Sequence, residues 1–391
     1  MAALATICGH RFGARPYPGL PVGERDEPVS AIIVGVTRLF TRSDLIVVGG
    51  SALAVILAGL AHYAGAPSVL SFAVAAVAVA MLASLVGRSV EQLGDRFGAG
   101  ATGVLQSALG NLPELFIGFF ALRAGLVAVV QAAIIGSILS NILLVLGLSF
   151  VVGGLKHGRQ TFNSERAQTT AVLMLLATGA LVLPSLASYV HTPAGAHESS
   201  LSVFVAVILL LIFALSLPAS IKRPSGDAGT STAGQHEPPH WPLPLAVGLL
   251  AGASLAAALV SDWFVSALEP AIDAMGISQA FAGLVIVAIA GNAIENVVGI
   301  QLAFKNQADY ALSVIINSPV QIALVLAPAL VLLSFLTATT LTLVFAPMLV
   351  MAVAITVIVV AFIVFDGESN WLEGATLIAL YAIIAAMFWW G

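Results

Sequence analysis

The sequence predicts an all-α integral membrane protein with about eleven transmembrane helices. Its 391 residues are 60% hydrophobic and only 8% charged, and their mean hydropathy is +1.06. Because soluble proteins carry roughly 25% charged residues, this chain lacks the polar surface that a soluble protein would need. Apolar runs of 18 or more residues recur along it, which indicates membrane-spanning helices. A polar motif that occurs once in each half indicates an internal repeat.

Eleven apolar runs can be read along the chain. They lie at approximately 44–64, 67–90, 101–122, 126–154, 168–190, 199–221, 243–263, 280–303, 308–335, 338–364 and 372–390. Cytoplasmic loops of membrane proteins carry an excess of Lys and Arg. With the N-terminus inside, thirteen of the 14 Lys and Arg residues fall on the inner side, and only Arg123 falls outside. This asymmetry predicts a cytosolic N-terminus and an outer C-terminus.

The motif Gly-Asn-x-x-Glu stands in both halves of the chain, inside apolar sequence. It runs from Gly110 to Glu114 in the third span and from Gly291 to Glu295 in the eighth, 181 residues later. The span after each copy carries a second polar cluster. Since the third and eighth spans are an odd number of spans apart, the two copies must cross the membrane in opposite directions. Inverted repeats with broken helices and a site at the membrane centre are typical of secondary transporters.

The residues of this repeat suit a hard cation. A charged carboxyl at mid-membrane costs roughly 2.5 to 3.5 kcal/mol, so an acidic residue there indicates a function. Calcium takes six to eight oxygen ligands, among them carboxylates, amide carbonyls and backbone carbonyls. Asn and Glu three positions apart share one helix face. The candidate ligands are Glu114, Glu295, Asn111, Asn292, Gly110, Gly291, Ser137, Ser140, Asn141, Ser318 and Gln321.

Other roles for some of these residues remain open. Ser137, Ser140 and Ser318 could be small packing residues between helices, and Asn141 and Gln321 could hydrogen-bond between helices. Glu91 is either part of an ion path or the partner of Arg88 in an ion pair. Two carboxyls could bind one divalent cation or accept protons, and these occupancies exclude each other. If only these two groups titrate, exchange would move two protons for each divalent ion.

These motifs resemble the calcium/cation antiporter superfamily, specifically its calcium/proton exchanger branch. GNLPELFIGFFALRAG and GNAIENVVGIQLAFKNQADYALSV, with the polar clusters that follow them, are similar to the two signatures of that branch. GRSVEQLG, which contains Glu91, is similar to a short motif that precedes the first signature. The resemblance implies a ten-helix core of two inverted five-helix repeats, plus one extra N-terminal helix. It also implies alternating access around Glu114 and Glu295, with Asn111 and Asn292 beside them.

The corresponding domain organisation can be written with residue limits. We expect a cytosolic tail at 1–43, an extra transmembrane helix at 44–66, the first inverted repeat at 67–221, a flexible cytosolic linker at 222–242 and the second inverted repeat at 243–391. The linker is rich in Pro, Gly, Ser and Thr. Three positions depart from the branch, which usually has His at Asn296, Gly at Asn317 and Ser at Pro319. These departures bear on ion choice and proton coupling.

The leading hypothesis is a secondary transporter that exchanges cytosolic calcium for protons. A sodium-coupled exchanger or one for another divalent ion, such as manganese, is the alternative, and a passive channel or an intramembrane hydrolase fits less well. We expect no enzymatic activity, no cofactor and no nucleic-acid partner. The expected transported ions are calcium and protons, and the protein is expected to lie in a lipid bilayer. The Ala- and Gly-rich composition and the lack of a targeting segment favour a bacterial cytoplasmic membrane.

Overall fold

Long apolar helices make up most of the chain. The computed structural model describes residues 40–97, 105, 109–222 and 240–390. Within these ranges, nine helices are long and apolar enough to cross a bilayer, and one bent pair makes a tenth span. Most of residues 101–108, where the third predicted span starts, and most of the predicted tail and linker lie outside the described residues. The protein is an all-α integral membrane protein, as its composition predicts.

The first half supplies the helices that hold the first copy of the motif. Its described α-helices are α1 (Arg42–Tyr63), α2 (Ser68–Phe97), α3 (Leu112–Arg123), α4 (Val127–Leu139), α5 (Leu146–His157), α6 (Ser164–Tyr189) and α7 (Glu198–Lys222). A π-helical stretch, Ser140–Val145, joins α4 to α5, so Val127–His157 is one continuous span. The short strand β1 (Gln160–Thr161) precedes α6, and a 3-10 turn (Pro193–His197) precedes α7.

The second half repeats this pattern. Its described α-helices are α8 (Leu243–Met275), α9 (Gln279–Phe281), α10 (Ala288–Gly291), α11 (Ala293–Phe304), α12 (Ala308–Gln321), α13 (Ala327–Leu333), α14 (Pro347–Ile363) and α15 (Trp371–Trp389). The π-helical stretches Ala282–Val287 and Ile322–Leu326 join α9 to α10 and α12 to α13. The 3-10 turns Ser334–Leu336 and Val364–Asp366 follow α13 and α14, and strand β2 (Glu368–Ser369) pairs antiparallel with β1.

Hydrogen bonds between loops identify one membrane face. Lys156 Nζ donates to Phe304 O at 3.1 Å, and His157 Nε2 bonds to the same oxygen at 2.9 Å. Arg159 forms an ion pair with Glu368 at 2.7 Å. These bonds hold the ends of α5, α11 and α14 together, and we call this side the Arg159 face.

The opposite face is marked by the end of α3. Thr339 Oγ1 donates to Leu122 O at 2.7 Å, next to Arg123. The span Val127–His157 starts here and ends at the other face, and its 31 residues rise by roughly 46 Å at about 1.5 Å per residue. That length exceeds the hydrocarbon core of a bilayer, which is about 30 Å thick. We call this second side the Arg123 face.

The two motif-bearing half-helices run in opposite directions. Each has 12 residues, which gives a length of about 18 Å, or half a membrane. The first, α3, ends at the Arg123 face, whereas the second, α11, ends with Phe304 at the Arg159 face. The halves are therefore inverted relative to each other, as the odd number of spans between the motifs predicts.

The tenth span starts later than the apolar pattern predicts. The sequence places it at 338–364, but α14 begins at Pro347, and residues 338–346 are not helical. Ala346 has φ −57° and ψ 143°, as expected of a residue that precedes proline. The segment is nonetheless buried at Leu341, Leu343 and Phe345. The predicted start of this span is wrong because residues 338–346 are apolar and buried but not helical.

Polar side chains of the first half satisfy the backbone of this extended segment. Gln131 Nε2 donates to Thr342 O at 3.0 Å and to Val344 O at 2.9 Å. Ser185 Oγ donates to Leu343 O at 3.0 Å and accepts from the Phe345 N–H at 2.9 Å. Buried backbone groups need such partners, so these side chains allow an extended chain at membrane depth.

The two halves meet where α4 crosses the π-helical stretch Ala282–Val287. A Cβ atom on Gly136 would lie 2.5 Å from Leu284 Cα, and one on Gly283 would lie 2.8 Å from Ala132 Cβ. Such contacts are far closer than real side chains allow, so only glycine permits this approach. The crossing brings the polar cluster after one motif against the helix that carries the other.

Candidate functional site

Both copies of the motif interrupt their helices at the asparagine. Asn111 precedes α3 with φ −91° and ψ 18°, and Asn292 separates α10 from α11 with φ −88° and ψ 22°. These values lie in the sparsely populated bridge region rather than in the α-helical one. The span around Asn292 bends by 63°. The repeated sequence thus produces the same backbone break twice.

Each break places a glutamate in the first turn of the following helix. Glu114 lies in the first turn of α3, and Glu295 lies in the first turn of α11. The unpaired N–H groups at a helix start favour negative charge nearby. Glu114 is buried, and Glu295 is partly buried. The fold therefore supplies two carboxylates at the ends of two opposed half-helices.

The first carboxylate touches the second break. A Cβ atom on Gly291 would lie 2.6 Å from Glu114 Cγ and 3.3 Å from Glu114 Oε1. Glycine at 291 is thus needed for the side chain of Glu114 to reach across to the other half. The first motif therefore lies against the second.

Asn292 is the centre of a hydrogen-bond network that joins both halves. Its Nδ2 donates to Ser137 Oγ at 2.9 Å, and its Oδ1 accepts from Asn141 Nδ2 at 2.9 Å. Ser318 Oγ accepts from Asn141 Nδ2 at 3.1 Å and lies 3.4 Å from Asn292 Oδ1. All four side chains are buried.

Backbone carbonyls determine how the two amides of this network are oriented. Asn292 Nδ2 also donates to Ala288 O at 2.9 Å, and Asn141 Nδ2 also donates to Ser137 O at 2.9 Å. A carbonyl oxygen can only accept, so each NH2 group must face its carbonyl. The oxygen of Asn292 is consequently already engaged, whereas the oxygen of Asn141 accepts no hydrogen bond from the described residues.

The symmetry-related contact in the other half is looser. Asn111 Nδ2 donates to Gln321 Oε1 at 3.4 Å, near the upper limit for a hydrogen bond. Asn111 Oδ1 accepts no hydrogen bond from the described part of the chain. Asn111 and Asn292 occupy equivalent motif positions but differ in this structure, because only Asn292 is held on both of its polar atoms.

Five buried oxygens around the breaks lack a hydrogen-bond partner among the described residues. They are Asn111 Oδ1, Glu114 Oε2, Asn141 Oδ1, Glu295 Oε2 and Asn296 Oδ1. Native structures pair nearly all buried polar atoms, so a cluster of exceptions requires an explanation. Two carboxylate and three amide oxygens are ligands of the type that calcium takes. Such a set can bind a hard cation, and its carboxylates can take up protons instead.

Comparison with known proteins places this site in a family. The model of the sodium/calcium exchanger protein family matches residues 67–222 and 245–390. The chain belongs to the sodium/calcium exchanger family. Within the calcium/cation antiporter superfamily it falls in the calcium/proton exchanger branch, as the motifs indicate.

Two relatives and one solved structure illustrate this similarity. The chain is 36% identical over 346 residues to the Ca(2+)/H(+) antiporter of Aphanothece halophytica, covering 84% of this chain and 92% of that protein. It is 38% identical over 349 residues to the Ca(2+)/H(+) antiporter ChaA of Bacillus subtilis (strain 168), covering 88% and 97%. The structure of native YfkE is similar with a TM-score of 0.74 and 36% identity, covering 86% and 98%.

Not every candidate residue of this exchanger contributes an open oxygen. Ser140 Oγ bonds within its own helix to Ser137 O at 3.3 Å. Ser137 and Ser318 bond within the network around Asn292, and Gly110 lies in the turn before Asn111.

Glu91 is exposed on α2, and its place in an ion path stays a prediction. Arg88 donates to Asp44 at 2.8 Å and to Ser43 at 2.6 Å, so α1 is joined to α2 by this ion pair. The sequence left open whether Arg88 pairs with Glu91; the bonds that the structure shows for Arg88 go to the extra N-terminal helix instead.

A cavity begins at the first carboxylate. Glu114 and Ser137 are its polar lining residues, and Ile117, Ala121 and Val129 continue it toward the Arg123 face. Its water-accessible space is about 20 Å³, which is room for about one water molecule. Because the rest of the lining is apolar, a hydrated cation would find few ligands there.

Sequence reasoning did not include Asn296 among the candidate ligands. It follows Glu295 directly and lies four residues after Asn292, whose carbonyl accepts its backbone N–H at 3.1 Å. An amide inside an apolar helix, one turn from a motif asparagine, was a signal that could have identified it.

Proposed function

We propose that this protein exchanges cytosolic Ca²⁺ for protons by alternating access at a central site formed by Glu114 and Glu295. The observation that carries this proposal is the cluster of five unbonded buried oxygens where the two inverted half-helices begin. Glu114 and Glu295 would hold the cation, and Asn111, Asn141 and Asn296 would add neutral oxygens. Asn292 would position Asn141 rather than bind the ion. The Ca(2+)/H(+) antiporters among the relatives support this choice of ions.

Competition at the carboxylates supplies the coupling. A deprotonated pair offers two negative charges to a divalent cation, whereas a protonated pair is neutral and binds it poorly. Burial penalises an uncompensated charge, so an empty site prefers protons. Each cycle would move one Ca²⁺ in one direction and two protons in the other, with no net charge transferred.

The arrangement in the membrane follows from the loop charges. We assign the Arg159 face to the cytosol, the C-terminus to the outside and the protein to a bacterial cytoplasmic membrane. The limits 67–221 and 243–391 describe the two inverted repeats, 44–66 the extra helix, and 222–242 a cytosolic linker.

The test is Ca²⁺ uptake into inverted membrane vesicles with an acidic interior. The native protein is compared with Glu114→Gln and Glu295→Gln, which keep the side-chain shape but cannot carry charge. We expect uptake to stop in both variants and when an ionophore removes the pH gradient. Glu165→Gln is the matched control, because Glu165 is an exposed residue in the first turn of α6 and should leave uptake unchanged.

Other outcomes would reject the proposal in distinct ways. Ca²⁺ flux that persists without any gradient would indicate a channel. Uptake driven by a sodium gradient would mean that sodium, not protons, is the exchanged ion. Uptake of Mn²⁺ but not Ca²⁺ would mean that Mn²⁺ is the transported divalent ion. Normal uptake in either Gln variant would remove that carboxylate from the site.

A further inference from the structure

The two motif-bearing half-helices end in the same backbone turn. The carbonyl of Leu122, the second-last residue of α3, accepts the N–H of Gly125 at 3.0 Å, and Gly125 has a φ of 81°. In α11 the carbonyl of Ala303 accepts the N–H of Asn306 at 3.0 Å, and Asn306 has a φ of 61°. A left-handed residue just after the last turn is a common way to end a helix. Both carbonyls lie eight residues after the motif glutamate of their helix.

A side chain from the opposite half binds each of these two carbonyls as well. Gln160 Nε2, from β1 in the first half, donates to Ala303 O at 3.3 Å. Thr339 Oγ1, from the second half, donates to Leu122 O at 2.7 Å. A carbonyl oxygen has two lone pairs, so it can accept the turn N–H and the side chain together. Gln160 and Thr339 are 179 residues apart, close to the 181 that separate the motifs, so the internal repeat includes this contact.

The fold is shaped around the Gln160 contact. Gln160 is buried, and its Nε2 also donates to Asn306 Oδ1 at 3.1 Å. A Cβ atom on Gly153 would overlap Gln160 Oε1, so a glycine on α5 makes room for this side chain. Lys156 and His157 bond to the next carbonyl of α11, but both are exposed. Because a hydrogen bond is stronger where the local dielectric is low, Gln160 is the main anchor of this helix end.

The anchored end of each half-helix affects the position of its glutamate. The span that contains α11 bends by 63° at the break beside Asn292, so α11 is not a straight continuation of the helix before it. Glu295 lies in the first turn of α11 and the Gln160 contact lies in the last. Eight residues of helix separate them by about 12 Å. A displacement of the last turn would tilt this short helix and move Glu295.

We propose that Gln160 and Thr339 are positioning residues for ion exchange. Gln160 holds α11, and with it Glu295, in place for the cation, and Thr339 does the same for α3 and Glu114. Neither side chain is among the proposed ligands. Each half thus orients the carboxylate of the other half through a short helix. This inference rests on the proposed function for the identity of the ion.

The test removes the two donors and compares the variants with matched controls. Gln160→Met and Thr339→Val delete the hydrogen bonds with little change in side-chain size. Gln168→Met is the first control, because Gln168 Nε2 donates at 2.9 Å to a carbonyl of the turn after α14, which carries no motif. Thr192→Val is the second, since Thr192 Oγ1 donates at 3.0 Å to a carbonyl of α6. Equilibrium Ca²⁺ binding and the unfolding free energy are measured in detergent for the native protein and every variant.

We expect Gln160→Met and Thr339→Val each to weaken Ca²⁺ binding roughly tenfold, because residues that orient metal ligands typically change metal affinity by about 10- to 100-fold when they are lost. Both control variants should bind Ca²⁺ like the native protein. Thr339→Ser keeps the hydroxyl and should restore the native affinity. Thr339→Val keeps the test decisive if Gln160→Met does not fold.

Two results would overturn the proposal. A lower unfolding free energy with an unchanged Ca²⁺ affinity of the folded variants would mean that the two contacts only stabilise the fold. An equal loss of affinity in the control variants would mean that any lost contact loosens the site.

The native protein distinguishes these results from a failure of the proposed function. If the native protein binds no Ca²⁺, the proposed ion is wrong, and the same variants are compared by their binding of Mn²⁺ and Na⁺. If the native protein binds Ca²⁺ and both Gln160→Met and Thr339→Val bind it equally well, only the positioning roles are rejected.

Discussion

Replacing Asn292 with alanine should destabilise the protein far more than replacing its symmetry mate, Asn111. Asn292 makes three hydrogen bonds of 2.9 Å, to Asn141, Ser137 and Ala288. Side-chain hydrogen bonds within membrane proteins contribute about 0.6 kcal/mol on average, so losing three costs about 2 kcal/mol. Asn111 has one bond of 3.4 Å, to Gln321, and its loss costs about 0.5 kcal/mol or less. The difference, about 1.5 kcal/mol, is roughly tenfold in the unfolding equilibrium constant.

The assay is reversible unfolding in detergent micelles, followed by tryptophan fluorescence, for the native protein and both alanine variants. Binding of Ca²⁺ to the same preparations is measured in parallel. Asn111→Ala should keep most of the unfolding free energy and lose Ca²⁺ affinity, because it removes an open oxygen. Asn292→Ala should lose stability, and it should lose affinity only indirectly, since Asn141 is no longer held.

The reasoning would be refuted by equal losses of unfolding free energy in the two variants. Such a result would mean that the two halves are equally braced, and that the difference between their amide contacts has no energetic consequence. An undiminished Ca²⁺ affinity in Asn111→Ala would refute the assignment of Asn111 as a ligand.

Two further predictions concern packing and pH. Gly136→Ala should prevent stable folding or lower the unfolding free energy by more than about 2 kcal/mol, because its Cβ would overlap the backbone of Leu284. Gly179→Ala is the control: its described surroundings leave open space, so it should stabilise α6 by about 0.5 to 1 kcal/mol. The yield and the unfolding free energy of both variants test this prediction. The apparent affinity for Ca²⁺ should fall as pH falls, because metal binding displaces protons; if two protons are displaced, the affinity should change by up to roughly a hundredfold per pH unit. Equilibrium binding between pH 5 and 9 measures this dependence, and a pH-independent affinity would contradict proton competition.

Much of the architecture follows from local properties of the chain. Apolar runs predict the spans because a polar backbone can cross hydrocarbon only as a hydrogen-bonded helix. The repeated motif predicts both helix breaks and the inversion, since direction depends only on the number of spans between the copies. Residues 338–346 are an exception, because they are apolar but not helical. Their backbone is satisfied by Gln131, Ser185 and other distant side chains, which no local pattern reveals.

The candidate site likewise has features that the sequence predicts and features that only the packed structure reveals. The sequence identifies Glu114 and Glu295, because isolated acidic residues in apolar spans are costly and therefore conspicuous. It does not distinguish Asn111 from Asn292, since both occupy the same place in the same motif. Their difference arises from the partners that each meets across the interface between the halves.

The sequence by itself determined the class of protein, the approximate spans and the inverted repeat, and it singled out Glu114 and Glu295 as candidate ligands. All of these depend on composition, periodicity and spacing, which are properties of the chain alone. The tertiary structure decided which buried polar atoms lack a hydrogen-bond partner among the described residues and which amide side chain holds another in place. Those outcomes depend on hydrogen bonds between residues 151 to 210 positions apart, and such bonds form only when the two halves pack together.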